Sequence, residues 1–419
     1  MDEPAPADLA VDSVVETGCV IVGAGPAGAV LALLLARAGV RVTLLESHPD
    51  FDRDFRGDTI HPSTLELLDQ LGLSERLHAL PHGKLGAIQV FTPDGAVTLA
   101  DLSRLRTKFP YVMTLPQSQL LELLVDAARG YPTFQIVMQA NVQRLVEEEG
   151  VVRGVRYRDA ENRWHEVRAG LTVAADGRFS KVRHLAEIET VGSAPPMDVV
   201  WFRLPKRSSD GVHGAEINIA RGRFVVLLDR ADEWQIGYVI LKGSFTLVRE
   251  AGIESLRDGL AQVVPWLADR AQELHDWKQT VVLNVESSRA KTWHRPGLLL
   301  IGDAAHVMSP VGGVGINVAI QDAVATANIL TDALLQGAPA EVELAAVQRL
   351  REPAVKIVQR MQRLMQETIA KPGLTQGARF HLPLPLRILL HVPVLRNLPG
   401  YMMAFGPHRV RLRERTAGR

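Results

Sequence analysis

Residues 19–46 constrain this chain more than any other stretch. Cys19-Val20-Ile21-Val22 is a short apolar run of strand type. Gly23-Ala24-Gly25-Pro26-Ala27-Gly28 follows at once and opens an Ala/Leu-rich segment that predicts a helix of about four turns. Arg41-Val42-Thr43-Leu44-Leu45-Glu46 is a second strand-like run that ends in an acid. Together they predict a βαβ unit with Gly-x-Gly-x-x-Gly at the strand-to-helix turn. Each glycine has its own job. Gly23 permits the tight turn, Gly25 lets a pyrophosphate approach the backbone, and Gly28 lets the helix pack close to the strand. Ala27 lies between them in the cofactor-binding turn.

The helix N-terminus aims unpaired N–H groups and a partial positive charge at the phosphates. Pro26 suits the first helical turn, where its missing N–H is no loss. Glu46 stands about 20 residues beyond the glycines, where a carboxylate accepts ribose hydroxyls and repels a 2′-phosphate. The adenosine expected here is therefore that of FAD or NAD, not NADP.

The rest of the 419 residues suit two interleaved domains. Lys and Arg number 47, as do Asp and Glu, so global charge carries no nucleic-acid signature. The single cysteine, Cys19, excludes a disulfide framework and reads as a small buried hydrophobe. Residues 1–16 are acidic, without the basic and apolar regions of a signal peptide, and read as a loose leader. Arg37 and Arg41 interrupt the apolar run at 29–36 well short of a membrane span. These features predict a cytoplasmic protein.

Further along, Phe55-Arg56-Gly57-Asp58 closes a polar loop, and Arg56 is placed to reach a pyrophosphate or a ring system. Residues 85–99 read as two strands about a Pro93-Asp94-Gly95 turn. A helix starts near Gln117, which either caps it or touches a cofactor. Strands are predicted at 134–137, 151–158, 164–167 and 171–174, and the last runs into Asp176-Gly177 with Arg183 following. Residues 198–242 read as consecutive antiparallel strands, and helices are expected near 254–263 and 265–275. The buried strand Leu298–Ile301 leads into Gly302-Asp303, then His306, Pro310, Gly312, Gly313, Gly315, Ile316 and Asn317. An Asp at that strand end points into the crevice where α/β sheets bind ligands. No second ligand stands at metal spacing from His306, so a structural hydrogen bond is expected there and no metal. A charged amphipathic helix spans 340–368.

Residues 371–419 hold nine Lys/Arg and one acid, which leaves net −8 on the remainder. Such a tail folds back on its acidic body, covers a substrate channel, or makes peripheral contact with an anionic membrane.

The motifs at 23–28, Asp176-Gly177 with Arg183, and Gly302-Asp303 through Pro310 to Asn317 stand in one order and spacing. On them, the chain from about 17 to 370 resembles the single-component FAD-dependent aromatic hydroxylases, a family that includes p-hydroxybenzoate hydroxylase and the ubiquinone-pathway hydroxylases. The resemblance implies an α/β Rossmann-like FAD domain at 17–85, 100–185 and 285–370. It implies a sheet-rich substrate domain at 86–99 and 186–284. It also implies NADPH or NADH as electron donor, O₂, and oxygen insertion into an aromatic, quinone-like or polyketide molecule through a flavin hydroperoxide. In that family residues matching Glu46 bind the adenosine ribose, those matching Asp303 bind the ribityl chain, those matching Arg56 and Gln117 also contact FAD, and the segment matching Asp176-Gly177 is associated with both FAD and the nicotinamide cofactor. Gly23, Gly25, Ala27, Gly28, Arg183, Gly302, Gly313, Gly315, Ile316 and Asn317 complete the expected cofactor-binding set. Pro310 and Gly315 would shape the flavin's reactive face, with no side-chain nucleophile. His213, Arg223 and Tyr238 are candidates for a substrate base. A FAD-dependent reductase or dehydrogenase of a prenyl or polyene chain, a flavin halogenase, and a non-catalytic FAD-binding protein share the cofactor motifs and remain as alternatives.

Overall fold

The computed structural model describes residues 11–52, 58–210, 214–230, 232–375, 380–392 and 395–413. Its first sheet carries the order His294–Arg295, Leu298–Leu300, Trp164–Ala174, Ser13–Val22, Val42–Leu45, Phe134–Val137. The last five of these are mutually parallel. Apolar runs buried on both faces make such strands, and helices must cover them. The helix Pro26–Arg37 does so on one side and packs against the long helix Gly315–Gln336. That long helix belongs to the only segment among the described residues long and apolar enough to cross a membrane, Val311–Gln336, and 72% of its apolar window is buried inside the protein. It is a core helix.

Several expectations move. The first strand begins at Ser13, inside the expected leader, because Ser13 to Thr17 pair in register with His165 to Ala169. The two strands expected at 164–167 and 171–174 are one, Trp164–Ala174. Gly170 lets it run through, since a Cβ there would sit 2.9 Å from the Gly337 carbonyl. Asn141–Glu148, which the sequence pattern did not mark as a strand, pairs antiparallel with Val151–Arg158. The helix expected at 265–275 is reduced to the short turns Pro265–Leu267 and Ala268–Ala271.

A second sheet has seven strands, in the order Val281–Leu283, Met197–Pro205, Glu233–Leu241, Arg223–Asp229, Ala215–Ala220, Ala87–Thr92, Gly95–Asp101. The hairpin at 87–101 thus joins the later strands, through a parallel pairing of Ala87–Thr92 with Ala215–Ala220. One face of this sheet packs on the helix Ile253–Val263. The other face meets Ile369, Ala370 and Leu374, with Val311 and Met365 at its margin.

The basic tail folds back on the body. Met403, Ala404 and Phe405, at the end of the helix Leu398–Phe405, are buried in one of the main cores. Gln321 donates to the Phe405 carbonyl at 3.1 Å, Asn328 to the Arg411 carbonyl at 2.8 Å, and Arg409 pairs with Glu66.

Candidate functional site

Because the central strands are parallel, their carboxyl ends share one edge. That edge collects the glycine turn, Glu46, Asp176-Gly177 and Gly302-Asp303 from across the chain. Crevices outside this edge are where such sheets take ligands.

The glycine turn is built by exclusion. Gly23 has φ +98°, and a Cβ there would lie 2.5 Å from the Ala175 carbonyl oxygen. A Cβ on Gly28 would lie 1.9 Å from the Gly23 carbonyl oxygen. Gly25 is different, because a Cβ on it would meet nothing within 4 Å. Its lack of a side chain keeps space open at the start of helix Pro26–Arg37, which no side chain caps. Glu46, 6% exposed, accepts the Ala24 N–H at 2.9 Å with one oxygen. Its other oxygen accepts the His48 N–H at 3.1 Å and lies 2.7 Å from His48 Nδ1. The acid therefore ties the second strand to the glycine turn.

Asp176 accepts from Ser180 Oγ at 2.5 Å and from the Val182 N–H at 3.0 Å, so it organises the short helix Lys181–Leu185. Burial pushes its pKa up, against the pull of these donors and Arg183. Arg183 donates to the Ala304 carbonyl at 2.8 Å and to the Arg178 carbonyl at 2.9 Å. It joins the Asp-Gly segment directly to the Gly-Asp segment.

Beneath Gly302 lies a fully buried ionic network. Asp322 accepts the Gly302 N–H at 3.1 Å, lies 2.6 Å from His306 Nε2, and accepts from Arg351 Nε at 2.7 Å. Burial works to raise the Asp322 pKa, but His306 and Arg351 outweigh it and hold it below the usual carboxylate range. His306 is thus a hydrogen-bonding partner of Asp322, packed on Trp293. Asp303 is half-buried in the same turn.

The next loop carries Pro310, half-buried, and the left-handed Gly312 and Gly313 at φ +79° and +62°. Thr59 Oγ1 donates to the Gly313 carbonyl at 3.2 Å. His61 lies 1% exposed with Nδ1 2.8 Å from the Met403 carbonyl, and burial pushes its pKa down to about 4, so it is neutral and donates to that carbonyl. Gly315 and Ile316 open the helix Gly315–Gln336, whose first turn holds no acid and no capping side chain. Asn317 is 3% exposed; its carbonyl accepts from Thr64 Oγ1 at 2.5 Å, and its amide nitrogen has no partner among the described residues.

Gln117 begins its helix, and its N–H donates to Asp58 Oδ1 at 3.3 Å. Asp58 in turn pairs with Arg230 at 3.0 Å, across the junction with the second sheet. Arg56 and His213 lie outside the described residues. Arg223 and Tyr238 lie together, but on the sheet face that packs on Ile253–Val263. A Cβ on Gly259 of that helix would sit 2.6 Å from Tyr238 Oη and 2.9 Å from Arg223 Nε. Strand alternation explains the placement, since Phe224 and Val239 take the face toward Val311 and their neighbours must turn away. Arg223 and Tyr238 are therefore not placed to act as a substrate base on the Val311 side.

Sequence reading missed Asp322, Arg351, Asp58 and three glutamines, Gln359, Gln362 and Gln366. Some signal existed. Leu344, Val347, Arg351, Val355, Val358 and Gln362 recur at helical spacing on the buried side of Glu341–Met365. Arg351 and Gln362 are polar residues at core positions, and buried polar groups need partners.

The parallel sheet, the glycine turn and the three acid-bearing strand ends define a dinucleotide-binding oxidoreductase fold. The residues fit FAD on their own chemistry. Gly25 keeps a cradle that a Cβ would fill, and Asn317 holds an unpaired buried amide beside a bare helix N-terminus. Residues 16–361 match the family described as FAD binding domain. The chain is 33% identical over 400 residues to the 6-methylpretetramide 4-monooxygenase of Streptomyces rimosus, covering 95% of this chain and 94% of that one. Among solved structures, the anhydrotetracycline hydroxylase OxyS of Streptomyces rimosus superposes with TM-score 0.72 at 27% identity, over 93% of this chain and 76% of that one. PqsL of Pseudomonas aeruginosa superposes with TM-score 0.73 at 21% identity, over 84% and 96%, a likeness that concerns the fold alone. This chain belongs to the FAD-binding monooxygenase family and is an FAD-dependent, NAD(P)H-using monooxygenase.

Proposed function

We propose that this enzyme inserts one oxygen atom into a flat aromatic, quinone-like or polyketide molecule, and that a polycyclic phenolic polyketide fits best. The observation that carries the choice is end-to-end similarity to an enzyme named for such a substrate. FAD, when bound, takes hydride from NAD(P)H and activates O₂. The chain's part is to bind, orient and exclude water. Gly23, Gly25, Ala27 and Gly28 would admit the pyrophosphate, Glu46 the ribose, and Asp303 the ribityl chain. The bare N-terminus of Gly315–Gln336, with Ile316 and the Asn317 amide, would favour negative charge at the ring's pyrimidine edge. Pro310 and Gly313 would leave the reactive face free of acids. The half-buried apolar side chains Trp201, Ile217, Val226, Val311 and Met365 would form the dry wall against which a flat substrate lies.

The test is direct. The purified protein should be yellow. Its oxidation of NADPH or NADH in air should rise with one member of a panel of phenols, quinones and polyketides, with product heavier by one oxygen. Reduction of a substrate without oxygen uptake would overturn this reading.

We place the enzyme in the cytoplasm, with peripheral contact to an anionic membrane through its tail. In support, Leu384, Ile388, Leu395 and Leu398 are exposed at 65%, 55%, 44% and 47%, and the last two line a groove with Arg104, Arg106 and Arg409. Sedimentation with anionic but not neutral vesicles is the expected result, and an unchanged supernatant sinks it.

A further inference from the structure

Three buried glutamines on one helical face hold the loop that carries Pro310. Gln359, Gln362 and Gln366 are 8%, 2% and 3% exposed. Spacings of three and four put them on one side of a helix. Each turns its amide nitrogen to the same stretch of chain. Gln359 donates to the Ser288 carbonyl at 2.9 Å and the Val307 carbonyl at 3.1 Å. Gln362 donates to the Ser309 carbonyl at 2.8 Å and the Val311 carbonyl at 2.9 Å. Gln366 donates to the Ser309 hydroxyl. Gln362 therefore grips the two carbonyls on either side of Pro310.

The physical need is plain. Segment 308–310 belongs to no helix or sheet ladder, and Ser309 is buried. Pro310 has no N–H to offer. Buried carbonyls left without donors are costly, so both amide hydrogens of Gln362 substitute for a missing ladder. Its own carbonyl oxygen has no partner among the described residues. The two donated bonds therefore set the position of that side chain.

The helix changes form at this point. Glu341–Met365 ends, and Gln366–Ala370 is a turn of π-helix, a form that recurs at functional sites. Within that turn, Ile369 and Ala370 pack with Ile219, Phe224 and Val239 of the second sheet. A Cβ on Gly373 would lie 2.9 Å from Ile219 Cγ2. One continuous element thus touches the sheet face and holds the Pro310 loop.

We propose that Gln362 and Gln366 are positioning residues that fix the Ser309–Val311 loop at the flavin, and so keep oxygen transfer coupled to substrate. This rests on the reading of Pro310 as facing the flavin. When the loop is loose, NADPH, O₂ and a proton leave as NADP⁺ and hydrogen peroxide, with no oxygen transferred.

The test uses the full-length, FAD-loaded enzyme with Gln362→Met, Gln366→Met and, as a control one step further from Pro310, Gln359→Met. Methionine keeps the length and removes the donors. Hydrogen exchange of the peptide from Met308 to Gly315 is read by mass spectrometry, beside the flavin's visible spectrum and the peroxide formed per NADPH oxidised. Exchange in that peptide should rise about tenfold in Gln362→Met and by less in Gln366→Met. It should stay within about twofold in Gln359→Met. FAD should remain bound, with its visible band shifted and the peroxide fraction raised in the first two. Unchanged exchange in Gln362→Met with FAD bound overturns the proposal. So does an equal rise in all three spread over the whole chain, which would mean a role in stability alone. If Gln362→Met does not fold, Gln366→Met against Gln359→Met decides the matter by the same measure. Substrate-stimulated NADPH oxidation by the unaltered enzyme is recorded in parallel. Its absence sinks the functional reading while the exchange data still judge the loop.

Discussion

Arg183 donates to the carbonyl of Ala304 at 2.8 Å, and so binds together two segments of the crevice edge from distant parts of the chain. The guanidinium is half-buried, and burial lowers its pKa against the pull of Asp176. A charged donor to a carbonyl is worth about 1.5–3 kcal/mol, mostly because the carbonyl is left bare without it. Arg183→Met should therefore weaken FAD binding by roughly 10–100-fold. Fluorescence titration of the apoenzyme reads this, and unchanged affinity would show that the two segments hold their places independently.

Two glycines of the same turn should respond in opposite ways. Gly25→Ala places a methyl in space that the protein leaves open. Stability should fall by no more than about 1 kcal/mol, the cost of alanine at a helix N-cap, while FAD is lost. Gly28→Ala drives its methyl into the Gly23 carbonyl at 1.9 Å. It should destabilise the fold itself, by several kcal/mol by analogy with overpacked cores. Denaturant midpoints beside bound-flavin absorbance separate the cases; equal loss of stability in both would remove the distinction between packing glycine and ligand glycine.

These two glycines also mark what could be read in advance. The glycine turn, Asp176-Gly177 and Gly302-Asp303 were legible because turns and strand ends impose local rules that survive in a short window. Their meeting on one edge follows from parallel pairing, which spacing alone implies once the strands are recognised. Arg223 and Tyr238 lie on the face toward Ile253–Val263; one residue's step along a strand moves a side chain to the opposite face, and nothing in the sequence of residues 198–242 fixes that phase. Asp322, Arg351 and the glutamines hide for another reason. Most of their partners lie on distant loops and helices, and no local pattern names such a partner. Only their polarity at core positions of a helix betrays them.

The Asp322 network should behave as a unit. Asp322→Asn leaves the Arg351 guanidinium, 1% exposed, without its counter-charge. Breaking a buried pair by removing one partner costs about 3–5 kcal/mol. Arg351→Met in the same chain should restore part of the loss, since it removes the stranded charge. Urea unfolding of the two single variants and the double variant gives the coupling. Strict additivity would show that the pair is not energetically joined.

His61 ties the tail to the body, and its pH behaviour follows from its burial. Its pKa falls from 6.5 to about 4, chiefly through desolvation, so the folded protein binds this proton more weakly than the unfolded chain. The stability it contributes is then fully present above pH 6.5 and is lost as pH falls toward 4. At most about 3.5 kcal/mol disappears across that window, because each tenfold weakening of proton binding is worth about 1.4 kcal/mol. His61→Asn keeps a donor for the Met403 carbonyl and cannot titrate. Urea unfolding at several pH values should show the unaltered protein losing its advantage over this variant as acid is added. Limited proteolysis should cut the tail near Met403 sooner in the unaltered protein at the acid end. A difference in stability that stays constant with pH would mean that His61 does not hold the tail through its neutral form.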